Sequence, residues 1–258
     1  MRVALRTWDG ANAAGLAESL RSRTRAGSAG LAEAVAATLA EVASGGDAAA
    51  IELGERFDGV RVEELRVPDE VLDRALDSLD PDLRDALEEA AANITTVASA
   101  QVSDEPSSVE LPQGHRVEVA EVPVQAAGIY APGGRAPYPS TVLMGVIPAR
   151  VAGVERVVVA SPPAADGLPH AAVLAAARIA EADEVFAIGG AQAVAALAYG
   201  TESIAAVDVI AGPGSPYVQE AKVQLASVVG IDGYAGPSEL AVISDSSGAT
   251  AETVALDL

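Results

Sequence analysis

VDVIAGPGSPYVQEAKVQLASVVGIDGYAGPSEL, Val207 to Leu240, changes its period partway along. Residues 207–210 are continuously apolar and read as a short strand. Gly212-Pro213-Gly214 is a turn, and from Ser215 to about Val229 the apolar residues recur at helical spacing. A strand that feeds a helix through glycines presents unpaired N–H groups and the positive end of the helix dipole, an arrangement suited to a phosphate. A second turn, Gly236-Pro237-Ser238-Glu239, places a hydroxyl and a carboxylate before a further strand over 239–243. Two such turns framing one helix predict a cleft.

Upstream, from Val124, strand, turn and helix repeat. Strands are predicted over 126–131, 156–160 and 184–188. The first ends in Tyr130 before Pro132-Gly133-Gly134. Helices are predicted over 141–151, with Ser140 as N-cap, over 169–182, and over 191–199 after Gly189-Gly190. This alternation predicts a parallel sheet with helices on both faces. Ligands of such sheets lie beyond the carboxyl ends of the strands. Tyr130, Gly189, Gly190, Gln192, Gly214, Ser215 and Ser238 are therefore expected on one rim.

The first hundred residues are helical and charged. Helices are predicted over 30–42 and 48–57, separated by Ser44-Gly45-Gly46-Asp47, and then over 68–78 and 81–100. Residues 101–122 alternate and predict a hairpin around Pro112-Gln113-Gly114. His115 beside that turn is expected at the surface.

Composition narrows the function. The chain has 258 residues, room for one large or two ordinary domains. Aromatics are only 3%, so the core is expected to be alanine-rich helices against Val/Ile strands. A net charge of −21 argues against nucleic-acid and membrane partners. Cysteine is absent, which removes disulfides and thiolate metal sites and fits a cytoplasmic setting. No apolar run reaches about 18 residues, and no leader pattern opens the chain, so neither a membrane span nor a secretion signal is expected.

No GxGxxG is present, and each glycine pair alone is a weak signal. Together, however, YAPGG, YPSTVLMGVIPARVAGV, DEVFAIGGAQAVAALAYGTESI, VIAGPGSPYVQEAK, VGID and AGPSEL follow one another in an order and spacing that resembles histidinol dehydrogenase. The resemblance runs from about Gly46 to the last residue. It implies an NAD- and zinc-dependent homodimer that oxidises L-histidinol through the aldehyde to L-histidine in histidine biosynthesis. It also implies that Tyr130, Gln192 and Ser215 contact NAD, with Gly214 beside them, and that Ser238 contacts substrate. Ser215 departs from the family's asparagine, so a hydroxyl with one donor replaces an amide with two.

The resemblance further implies zinc ligands and a catalytic Glu-His pair beyond Leu258. Within the 258 residues the only histidines are His115 and His170, too few for a zinc site of about three ligands. His170 has no ligand-type residue at i+3 or i+4 and is expected to start a helix. No catalytic residue and no metal ligand is assigned in this chain, which is expected to be a truncated, inactive form. Alternatives are a related dehydrogenase of another small alcohol, such as a sulfonated diol, and a non-catalytic nucleotide-binding chain. The fold class expected is α/β, with two Rossmann-like doubly wound domains of parallel sheet preceded by N-terminal helices. The divisions are an adaptor over 1–25, a first domain over 26–138 plus 239–258, and a second over 139–238.

Overall fold

The computed structural model describes residue 15 and residues 30–103, 106–133 and 136–233. The expected adaptor apart from residue 15, the strand over 239–243, Gly134, Ser238 and the segment 239–258 lie outside the described residues.

The described part is an α/β fold built on one six-stranded sheet. The chain enters it through helix α1 (Leu31–Asp58), edge strand β1 (Arg66–Val67), helices α2 (Asp69–Asp77) and α3 (Pro81–Ser99), and hairpin strands β2 (Ser107–Glu110) and β3 (Arg116–Val119). Then come β4 (Ala126–Tyr130), α4 (Pro139–Val151), β5 (Arg156–Ser161), α5 (Ala171–Ile179), β6 (Glu184–Ala187), α6 (Gly190–Tyr199), β7 (Val209–Ala211), α7 (Pro216–Leu225) and β8 (Gly230–Ile231).

The sheet order is β1-β6-β5-β4-β7-β8. Strands β4 to β8 are parallel, and β1 joins the edge antiparallel to β6. The chain therefore starts at the centre with β4, steps outward to β6, and crosses back over β4 to β7 and β8. That reversal puts a topological switch point between β4 and β7, where their carboxyl ends diverge. Helices α4 and α5 cover one face, with α3 and α2 packed on them. Helices α6 and α7 cover the other, with α1 packed on both.

Burial follows from this layering. Val157, Val158, Val159 and Ala160 of β5 are all fully buried, the continuous apolar run expected of a strand covered on both faces. Helix α6 is buried from Ala191 to Ala198, and its alanines let α1 approach the sheet closely.

Several local expectations shift. The two helices predicted over 30–57 are both present, and the connection between them shortens to a non-helical kink at Gly46 (φ 56°, ψ −140°), so that together they make up the span labelled α1. At the kink the N–H of Asp47 donates to Oε2 of Glu202 at 2.7 Å, so the bend is tied to the loop after α6. By length and composition alone, α1 is long and apolar enough to cross a membrane, although Glu33, Glu41, Asp47 and Glu52 interrupt its apolar residues. In the fold it buries Val35, Leu39, Val42, Ala50 and Leu53. Helix α4 begins at Pro139, earlier than expected, with Tyr138 rather than Ser140 at the N-cap position and no side-chain cap bond, because Pro139 occupies its first turn, where a missing N–H costs nothing. Strand β4, which α4 covers, pairs with β5 on one side and β7 on the other.

The hairpin forms as predicted, with Val109 opposite Val117 and His115 exposed beside the turn. His170 caps α5, its Nδ1 accepting the N–H of Ala172 at 3.1 Å.

Candidate functional site

The carboxyl ends of β4 and β7 deliver the chain to the starts of α6 and α7. A cavity of about 490 Å³ opens there, in the range of small-molecule sites. One wall is Gly190, Ala191 and Gln192 at the start of α6. Another is Ser215 and Tyr217 at the start of α7. Helix α1 closes the cavity with Thr38 from its middle and Arg56, Phe57 and Asp58 from its end. The guanidinium of Arg56 lies over the Phe57 ring at 4.6 Å, a cation resting on an aromatic face.

Tyr130 ends the central strand and is buried behind this wall. Its hydroxyl accepts the N–H of Gly190 at 3.1 Å, satisfying one of the donors that a helix start leaves unpaired. Burial pushes the phenol up to about 12, with the Asp58 charge adding to the rise and the Gly190 bond opposing it. Tyr130 therefore keeps its proton at neutral pH, and that proton remains available to an acceptor. Asp58 is exposed as a residue, but burial of its carboxyl in the cavity wall raises it above the ordinary aspartate range.

Gln192 is 1% exposed, and its Nε2 has no hydrogen-bond partner among the described residues. A β-carbon at Gly190 (φ 66°) would meet the Gln192 side-chain oxygen, so the glycine makes room for the amide. A buried amide donor without a partner is costly, about 1–3 kcal/mol. This one lines a cavity, so an acceptor entering the cavity can satisfy it.

Ser215 is the N-cap residue of α7, but its hydroxyl makes no cap hydrogen bond. The helix is closed by main chain alone, Gln219 N–H to Ser215 C=O at 3.0 Å. Ser215 stands on the cavity wall. Gly214 stands behind it, where a β-carbon would run into Val218. Among the rim residues expected from the sequence, Gly190, Gln192 and Ser215 thus share one cavity. Tyr130 reaches it through one hydrogen bond, and Ser238 lies outside the described residues. Phe57, Asp58 and Thr38 were missed, since nothing in a charged helical sequence shows which turn of α1 meets the sheet end. Among the described residues no group of three or more His, Cys, Asp or Glu side chains could hold a metal ion.

Parallel strands wound both ways from a central one, with a cavity near their point of reversal and an unpartnered buried amide in a residue of its wall, define a Rossmann-like α/β protein. The comparisons carry this further. Residues 21–258 match the family described as histidinol dehydrogenase, and the chain belongs to that family, one of oxidoreductases. It is 49% identical over 229 residues to the histidinol dehydrogenase of Corynebacterium jeikeium, covering 87% of this chain and 50% of that one. The Mycobacterium leprae enzyme of the same name is 51% identical, covering 79% and 48%. The crystal structure of histidinol dehydrogenase from Elizabethkingia anophelis matches with a TM-score of 0.75 at 34% identity, covering 80% of this chain and 48% of that one. The chain spans about half the length of the curated relatives it matches.

Proposed function

We propose that this chain is the nucleotide-binding part of a histidinol dehydrogenase, and that the cavity between helix α1 and the starts of α6 and α7 receives NAD. The observation that carries this is the buried, unpartnered Nε2 of Gln192 in the cavity wall. The residues present fit such a ligand. Two helix starts face the cavity, a spare hydroxyl stands at Ser215, and the Tyr130 phenol holds the Gly190 turn in place. When bound, NAD supplies a hydride acceptor.

The chain's own residues would bind and orient it. Gln192 donates to an acceptor on the nucleotide, Ser215 offers its hydroxyl in place of an amide, and Gly214 lets the chain bend closely behind that hydroxyl. Ser238 is assigned to the substrate, L-histidinol, which the parent enzyme would oxidise to L-histidine in histidine biosynthesis as a cytoplasmic homodimer. Zinc does not fit the described residues, which bring no three His, Cys, Asp or Glu side chains together. Proton transfer from the alcohol likewise has no assigned base here, and the 258 residues are proposed to give no turnover alone.

Calorimetric titration of the full chain with NAD+ tests the reading, with Gln192→Leu as the control. Saturable binding that the substitution weakens at least tenfold supports it. Absence of binding, or binding indifferent to Gln192, overturns it. Turnover of histidinol by this chain alone would overturn the assignment of the chemistry to other parts of the enzyme.

A further inference from the structure

Among the described residues, Lys222 is the one charged residue that is fully buried. It stands on α7, and its Nζ donates to the carbonyl of Gly212 at 3.1 Å and to Oδ1 of Asp232. Asp232 follows β8, and its Oδ2 accepts the N–H of Gly212 at 2.8 Å. Both main-chain polar groups of Gly212 are thus held by side chains, one from within α7 and one from beyond it. Gly212 is the residue at which the chain leaves β7. Its φ of 128° and its closeness to the Tyr130 carbonyl, which a β-carbon would strike, press this turn onto the end of the central strand.

The consequence reaches the cleft. Ser215 lies three residues beyond Gly212, so the orientation of one peptide sets the direction in which the α7 wall departs. Water cannot replace a fully buried ammonium as donor to Gly212, and a buried ion pair is retained only where its geometry is good. Sites of this kind depend on supporting residues that touch no ligand. Neither Lys222 nor Asp232 lines the cavity.

We propose that Lys222 and Asp232 are positioning residues that clamp Gly212 and so set the Ser215 wall of the nucleotide cleft. This rests on the reading of the cavity as a nucleotide site. The test uses the full chain with Lys222→Met and Asp232→Asn. Asp232 is partly exposed, so its variant keeps the question open if Lys222→Met fails to fold. Amide hydrogen exchange of the peptide spanning 209–218 and calorimetric titration with NAD+ are measured side by side. A clamp speeds exchange in 209–218 at least tenfold while peptides of β4 and β5 keep their protection, and it weakens NAD+ binding at least tenfold. Unchanged exchange in 209–218, or a uniform rise across the chain, overturns the clamp. Local opening with wild-type NAD+ affinity overturns its link to the cleft. If the wild-type chain takes up no NAD+, the nucleotide reading falls, and exchange alone still decides whether Gly212 is clamped.

Discussion

The hydroxyl of Tyr130 accepts the N–H of Gly190 at 3.1 Å, so the last residue of the central strand fixes the first turn of the helix that carries Gln192. Strand order alone does not place that turn. Two strands intervene between β4 and α6 in the chain, and the side-chain bond ties their ends together at the cavity.

Tyr130→Phe keeps the ring and removes this bond. The expected loss is about 1 kcal/mol of stability near neutral pH, the net worth of one intramolecular hydrogen bond. A second signature is pH dependence. The phenol is raised from 10.0 to about 12, so the folded state holds its proton where the unfolded chain gives it up. The associated stability is complete below pH 10 and is lost as pH rises toward 12, roughly 1 kcal/mol of it by pH 11. Urea unfolding of the wild type and the variant from pH 8 to 11 should show the difference between them narrowing at the alkaline end.

Gln192→Leu should separate stability from binding. Removing a buried donor that has no partner raises the stability of the free chain by about 1 kcal/mol. The same change deletes the proposed contact and weakens NAD+ at least tenfold. Thermal unfolding without ligand and calorimetry with it measure the two effects, and a variant that lost both would contradict the assignment.

Much of the fold was legible because glycine turns and apolar runs alternate so regularly after Val124. What escaped was set by tertiary contacts or was too short to carry a period. Strands β1 and β8 have two residues each, too few to alternate. The Gly45-Gly46 pair marked the helix break, which falls at Gly46, but did not show that the break is a short kink held by Glu202, a residue far away in the chain. Lys222 looked like any lysine in a charged helix. Its burial depends on Asp232, ten residues later, and no helical period relates the two. Gln192 was placed on the rim by the rule for strand ends, while its role toward NAD came only through the resemblance, since one glutamine among alanines carries no signal of its own.

Asp58→Asn tests the electrostatics at the end of α1. Burial raises the Asp58 carboxyl, so the fold favours its neutral form and charge there costs stability at pH 7. The neutral amide should therefore be slightly stabilising at pH 7, by no more than about 0.5 kcal/mol for a residue this exposed. The gain should vanish as pH falls toward the protonation of the carboxyl. Denaturant midpoints at pH 7 and pH 4 measure it, and a gain that grew on acidification would have the wrong sign.

Ser215→Asn asks whether the α7 wall has an amide's worth of unused space. Serine here makes no side-chain cap, so the first-turn N–H groups of α7 have no side-chain acceptor from that position. Asparagine is as good an N-cap residue as serine and adds a second donor. If the serine hydroxyl faces the nucleotide, the amide should tighten NAD+ severalfold and leave stability within about 0.5 kcal/mol. Calorimetry and thermal unfolding of the variant decide it. Looser binding at unchanged stability would mean that the cleft is shaped for the smaller hydroxyl, and that the departure from asparagine marks a different ligand geometry at this wall.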